Sequence, residues 1–146
     1  FSLCVPSAFE QKEKMGATSL FEDPERRSTQ VGVTVNPVRI SSLDKFGSLQ
    51  DVGEKLLGAE RAKESTLECN LLYQESRVSG NGVTFYEYGY ELDSTRGRKR
   101  IQTSVTISNS KLYILNINVK CDKESCAAFE DTIGGLRSIM KSFSVY

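Results

Sequence analysis

The sequence predicts an α+β fold, one antiparallel sheet flanked by helices in a single-domain sandwich that spans 1–146. Two changes of hydrophobic period carry this reading. From Leu67 to Val119 apolar and polar residues alternate in short runs separated by turn signals, the period-two pattern of antiparallel strands. From Ser48 to about Glu64, and again from Phe129 to Phe143, apolar residues recur at spacings of three and four, the period of a helix. The chain has 146 residues, 38% of them hydrophobic and 26% charged, enough for one core and too apolar for disorder. No internal repeat, linker or low-complexity segment interrupts it.

In chain order, Phe1, Leu3 and Val5 alternate with Ser2 and Cys4, a short strand ended by Pro6. The chain starts at Phe1 rather than Met, and the expectation is a mature or trimmed form whose targeting segment is absent. Residues 7–17 are polar and turn-like. Ser19–Glu22 and Val31–Val35 read as strands, with a polar turn from Asp23 to Thr29 between them. Ser48 is placed to cap a helix, and Asp51 three residues on supplies a carboxylate capping box. Leu49, Val52, Leu56 and Ala59 form that helix's apolar side, and Gly53 and Gly58 weaken it. Asn81-Gly82 signals a hairpin ahead of the aromatic strand Val83–Leu92. Ile101, Thr103, Val105 and Ile107 alternate on the next strand, and Asn109-Ser110 turns the chain into Leu112–Val119. Phe129, Ile133, Leu136, Met140 and Phe143 then form the stripe of a closing helix that packs on the sheet.

Composition excludes several functions. Lys plus Arg and Asp plus Glu both number 19, so the net charge is zero and a general nucleic-acid binder is not expected. No apolar run approaches the length of a membrane span. The absence of His removes His-based catalysis and every His metal ligand, and no Gly-rich phosphate loop is present. Glu22-Asp23 and Glu130-Asp131 come without a nucleophile or base and read as surface charge. Asp122 and Glu124 supply too few oxygens for calcium. Tyr86, Tyr88 and Tyr90 share one strand face and serve sheet packing more readily than a pocket. An enzyme would need a nucleophile or base held in a pocket. The chain offers only carboxylates, tyrosines and thiols, so no catalytic, cofactor-binding or metal residues are expected.

The four cysteines permit one or two bridges or a zinc site, although Cys121 and Cys126 are spaced wider than a zinc-ribbon pair and Cys4 and Cys69 stand alone. Three disulfide pairings are possible; the local one joins Cys121 to Cys126 and leaves Cys4 for Cys69. Arg96, Arg98, Lys99 and Arg100 make the one dense basic run, read as a loop between two strands. It either faces water or docks electrostatically on an acidic partner.

Several segments, taken in order, resemble the PsbP family of chloroplast thylakoid-lumen proteins. They are Phe1–Pro6, Phe21–Asp23, Val31–Val35, Ser42–Ser48 (which matches the family's turn before its helix), Thr84–Tyr88, Lys111–Leu115 and Lys141–Val145. The resemblance implies the family's α+β fold, a lumenal location and a non-catalytic role. The expected partner is the lumenal face of a photosynthetic membrane complex, with the chain a monomer in isolation and acting as a photosystem II accessory protein or an assembly factor. In the family's main extrinsic subunit, part of the oxygen-evolving complex, a segment ahead of this region is tied to calcium and chloride retention. That segment is not in the chain, so that role is not carried over, and calcium binding enters only as a property the resemblance attaches to the family. The four cysteines depart from the family pattern and suggest a divergent member. In an oxidising lumen they are expected to be bridged. The alternative reading is a lumenal protein whose disulfide state controls stability or partner choice.

Overall fold

The computed structural model describes residues 1–5, 7, 9–12, 18–24, 29–121 and 138–145. Among them run β1 (Glu10–Lys12), β2 (Ser19–Glu22), β3 (Gln30–Pro37), α1 (Leu43–Phe46), α2 (Leu49–Arg61), β4 (Thr66–Val78), β5 (Thr84–Ser94), β6 (Gly97–Ser108) and β7 (Lys111–Cys121), followed by a helical segment at 138–142. The strands form one sheet in the order β1-β2-β3-β7-β6-β5-β4, antiparallel at every pairing. The α1–α2 segment carries the chain from β3 to the far edge. The meander β4 to β7 then returns strand by strand until β7 seats beside β3.

The pleat sends alternate residues to opposite faces, and both faces of the central strands are covered. On one face Val31, Val33, Phe85, Leu115 and Ile117 pack with Ile139, Met140 and Phe143. On the other, Tyr86, Tyr88, Val105 and Ile107 pack with Leu43 and Val52, while Tyr90, Leu92 and Ile101 meet Leu57 and Cys69. The alternation on β6 predicts one buried face, Ile101 to Ile107. Its intervening residues Gln102, Ser104 and Thr106 are buried as well, because they share a face with the β7 residues that pack against 138–143. Thr106 Oγ1 donates to Thr84 O at 2.7 Å.

The cap on α2 forms as the sequence indicates. Ser48 Oγ accepts from the Asp51 N–H at 3.1 Å, and Asp51 accepts from the Ser48 N–H. The apolar stripe is rotated from the expected one. Val52, Gly53 and Leu57 are buried and Ala59 is exposed. The cause lies at Gly53, where a Cβ would sit 2.7 Å from the Tyr88 ring, so the missing side chain lets this face of the helix settle on the tyrosine. The tyrosines in turn hold the helix start: Tyr88 Oη donates to Leu49 O at 2.6 Å and Tyr86 Oη to Gly47 O at 3.0 Å.

Three expectations are corrected at the ends and edge. Phe1–Val5 does not extend as a strand; it makes one antiparallel bridge, Ser2 with Ser144, and tucks Leu3 and Val5 against the core. The polar stretch 7–17 contains β1, whose lack of apolar alternation reflects an edge strand with no buried residue. Ser42–Ser48, read as a turn, contains the helical turn α1, which inserts Leu43 into the core. Phe129, Ile133 and Leu136 of the closing stripe lie outside the described residues.

β4 forms the other edge and carries two irregularities, between Thr66 and Glu68 and between Leu71 and Tyr73. The extra residues there, Leu67 and Leu72, are exposed. Across the sheet from α2, Glu87 is fully buried. It accepts from Arg77 Nε at 3.1 Å and Lys141 Nζ at 2.7 Å, while Arg77 Nη2 donates to Phe143 O at 3.1 Å and its guanidinium covers the Phe85 ring. This cluster fastens the C-terminal segment to the sheet.

Candidate functional site

The two ends of the β5–β6 connection set the geometry of the basic run. Ser94 pairs with Gly97, so Thr95 and Arg96 alone form the turn, and Gly97 takes the left-handed φ of 119° that this tight reversal needs. The run is therefore mostly strand, not loop, and the pleat divides it. Arg98 lies opposite Asp93 and is held there, with Nη1 3.0 Å from Glu91 Oε1 and Nη2 3.5 Å from Asp93 Oδ2. The hydrogen bond to Glu91, against the pull of desolvation, raises its pKa further. Arg100 is half-buried on the same face as Arg98. Lys99 points to the opposite face. There it joins Arg96 at the rim of a cleft, and neither side chain has an ion-pair partner among the described residues. The four residues do not act as one patch: two are engaged on one face, and two are free on the other.

The cleft has a volume of about 420 Å³ and lies between the C-terminal half of α2, the α2–β4 turn and the face of β5, β6 and β7. Its floor is apolar, from Leu56, Tyr90, Leu92, Ile101 and Ile114. Its polar wall comes from Asn116 and Asn118. Asn116 Oδ1 accepts from Thr103 Oγ1 at 2.7 Å, which leaves the amide nitrogen to donate elsewhere. The Thr95 N–H donates to Ser65 O at 2.9 Å and latches the hairpin turn to the α2–β4 turn, closing one end. Lys63 lines the cleft too, with its charge met by Glu60 at 3.2 Å. Burial raises the Tyr90 pKa well above the ordinary phenol value, so this hydroxyl stays neutral.

The sequence reading did not single out Lys63, Asn116 or Asn118. The two asparagines were visible as the alternate positions of Leu112–Val119, which a half-buried strand turns toward water. Nothing local showed that α2 would wall this face.

The cysteines depart from the expected staple. Cys4 is exposed and Cys69 is buried, and both are free thiols. Cys4 lies at the chain end beside Ser142, whose hydroxyl accepts from the Cys4 N–H at 2.9 Å. Cys69 faces the sheet surface under α2, packed with Leu57, Tyr90 and Leu92, on the opposite side from the C-terminal segment. The sheet itself separates them, so the pairing of Cys4 with Cys69 is not made. Burial raises the Cys69 thiol pKa. Cys121 ends β7 and is buried; Cys126, Asp122, Glu124, Glu130 and Asp131 lie outside the described residues. Among the described residues no three His, Cys, Asp or Glu side chains group to hold a metal ion. Nor is any helix among them long and apolar enough to cross a membrane.

Comparison with known proteins decides the family. The family described as PsbP matches residues 1–145. The chain belongs to the PsbP family. It is 43% identical over 144 residues to the PsbP domain-containing protein 2, chloroplastic, of Arabidopsis thaliana. That alignment covers 98% of this chain and 61% of the relative, so the chain spans about three-fifths of that protein's length. The solution structure of cyanobacterial PsbP (CyanoP) from Synechocystis sp. PCC 6803 matches with a TM-score of 0.77 over 99% of this chain and 85% of that one. At 19% identity this second likeness establishes the shared fold. The PsbP resemblance and the α+β class expected from the ordered segments are both shown, with the chain a divergent member.

Proposed function

We propose that the chain is a non-catalytic PsbP-domain protein of the chloroplast thylakoid lumen that associates with a photosynthetic membrane complex, as a photosystem II accessory protein or an assembly factor. The observation that carries this reading is the family match across residues 1–145, supported by a relative whose name places it in the chloroplast. Free cations on one rim give an acidic partner something to meet. Arg96 and Lys99 carry charge that nothing in the described structure neutralises, and such local charge speeds encounter even at zero net charge.

Affinity purification of the tagged protein from solubilised thylakoids, with mass spectrometry of the co-purifying proteins, tests the reading. Photosystem subunits or their assembly proteins should be recovered above an untagged control, and recovery should fall with salt. Recovery of no thylakoid membrane protein would sink it. Arg96→Gln with Lys99→Gln should reduce recovery and leave stability nearly unchanged. Arg98→Gln should cost stability instead, because it strips the partner from Glu91 and Asp93.

Cys121 and Cys126 are proposed as a local bridge, supported by their short separation and by the absence of Cys121 from the free thiols. With Cys69 buried and Cys4 free, no observation favours disulfide control of partner choice.

A further inference from the structure

We propose that the cleft beside α2 binds a small amphiphilic anion, an apolar body carrying a carboxylate or phosphate. Two sets of groups meet there with nothing to satisfy them. Lys99 and Arg96 stand at the rim without ion-pair partners among the described residues, and Asn116, which lines the same space, has its oxygen taken by Thr103 and keeps its amide nitrogen available to donate. Three cations line the cleft against one carboxylate, Glu60, and that carboxylate is occupied by Lys63 at 3.2 Å. The remaining charge therefore favours an anion, and amide and ammonium donors both suit oxygen acceptors.

The floor specifies the rest of the ligand. Ile101, Leu92 and Ile114 give an apolar surface next to the donors, so a bare inorganic ion would leave that surface unused. A volume of about 420 Å³ lies within the range of small-molecule sites. The latch from the Thr95 N–H to Ser65 O closes one end, so a compact ligand fits and an extended peptide has no path through that end.

The test is made on the isolated protein, apart from any membrane complex, by following backbone amide resonances during titration with octanoate, with octanol as its uncharged counterpart and with inorganic phosphate as the charge alone. Octanoate should shift the signals of Lys99, Ile101, Ile114, Asn116 and Asn118 to saturation, and should bind at least about tenfold more tightly than octanol or phosphate, the difference a charge-assisted contact supplies. Arg96→Gln with Lys99→Gln should weaken octanoate by a similar factor while octanol is unaffected, and an unchanged amide spectrum of the free variant shows that its fold is intact. Octanol matching octanoate, phosphate matching octanoate, shifts scattered outside the cleft, or a variant that binds octanoate as the parent does would each overturn the proposal.

Discussion

A methyl group added at position 53 and one added at position 58 fall on the same helix with opposite consequences. At Gly53 the new Cβ meets the Tyr88 ring at 2.7 Å, and the ring is fixed by its hydrogen bond to Leu49 O. Gly53→Ala should cost about 1–3 kcal/mol by overpacking. At Gly58 nothing lies within 4 Å, so Gly58→Ala should gain about 0.5–1 kcal/mol from helix propensity alone. Urea unfolding of the two variants checks both signs; equal effects would mean that Tyr88 yields. Both glycines read from the sequence as helix weakeners, since propensity is local and the tyrosine that separates them comes from another strand. The thiols make a second residue-scale case. Alkylation of unreduced protein should count one thiol in the native state, Cys4, and two after denaturation, as Cys69 emerges from under α2 and the proposed bridge holds the other pair. Four thiols after denaturation would remove the bridge.

Among the elements, the C-terminal segment depends on a charge cluster rather than on its own length. Arg77 reaches from β4 to Phe143 O and at the same time neutralises the fully buried Glu87. Arg77→Met should cost about 3 kcal/mol, because one of the two cations facing a buried carboxylate is lost. Amide exchange at 139–145 should accelerate more than exchange in β6. Uniform acceleration would show that the segment is not held through this residue. The helix cap and the meander were legible because they rest on local signals, Ser48 with Asp51 and the turns at Asn81-Gly82 and Asn109-Ser110. The buried Gln102, Ser104 and Thr106 were not, since a polar residue in alternation looks the same whether its face meets water or a second layer. The basic run misled for a related reason: its charge density suggested a loop, while Ser94 and Gly97 confine the turn to Thr95 and Arg96 and let the pleat split the remainder.

For the whole molecule, several buried groups push stability in one direction with pH. Burial raises the pKa of Tyr88 and of Tyr90 above the ordinary 10.0, and that of Cys69 above 9.0. Each is neutral when protonated and is held neutral by folding. Their contribution is complete below the unfolded values and is lost as pH rises through that range. Lys141 acts in the same sense: burial lowers its pKa, but the carboxylates of Glu75 and Glu87 outweigh this and raise it above 10.5. Stability should therefore decline from about pH 9 upward. Phenolate absorbance should show Tyr88 and Tyr90 ionising only together with loss of the circular dichroism signal. Ionisation of every tyrosine with the sheet intact would contradict this.

The bridge between Ser2 and Ser144 gives the domain a single doorway. Two backbone hydrogen bonds, of 2.8 and 2.9 Å, hold residues from opposite ends of the chain side by side. A tether joined ahead of Ser2 or after Ser144 thus leaves the sheet at one place. The distance from the doorway to the cleft beside α2 is then fixed by the rigid sheet, whichever end is anchored.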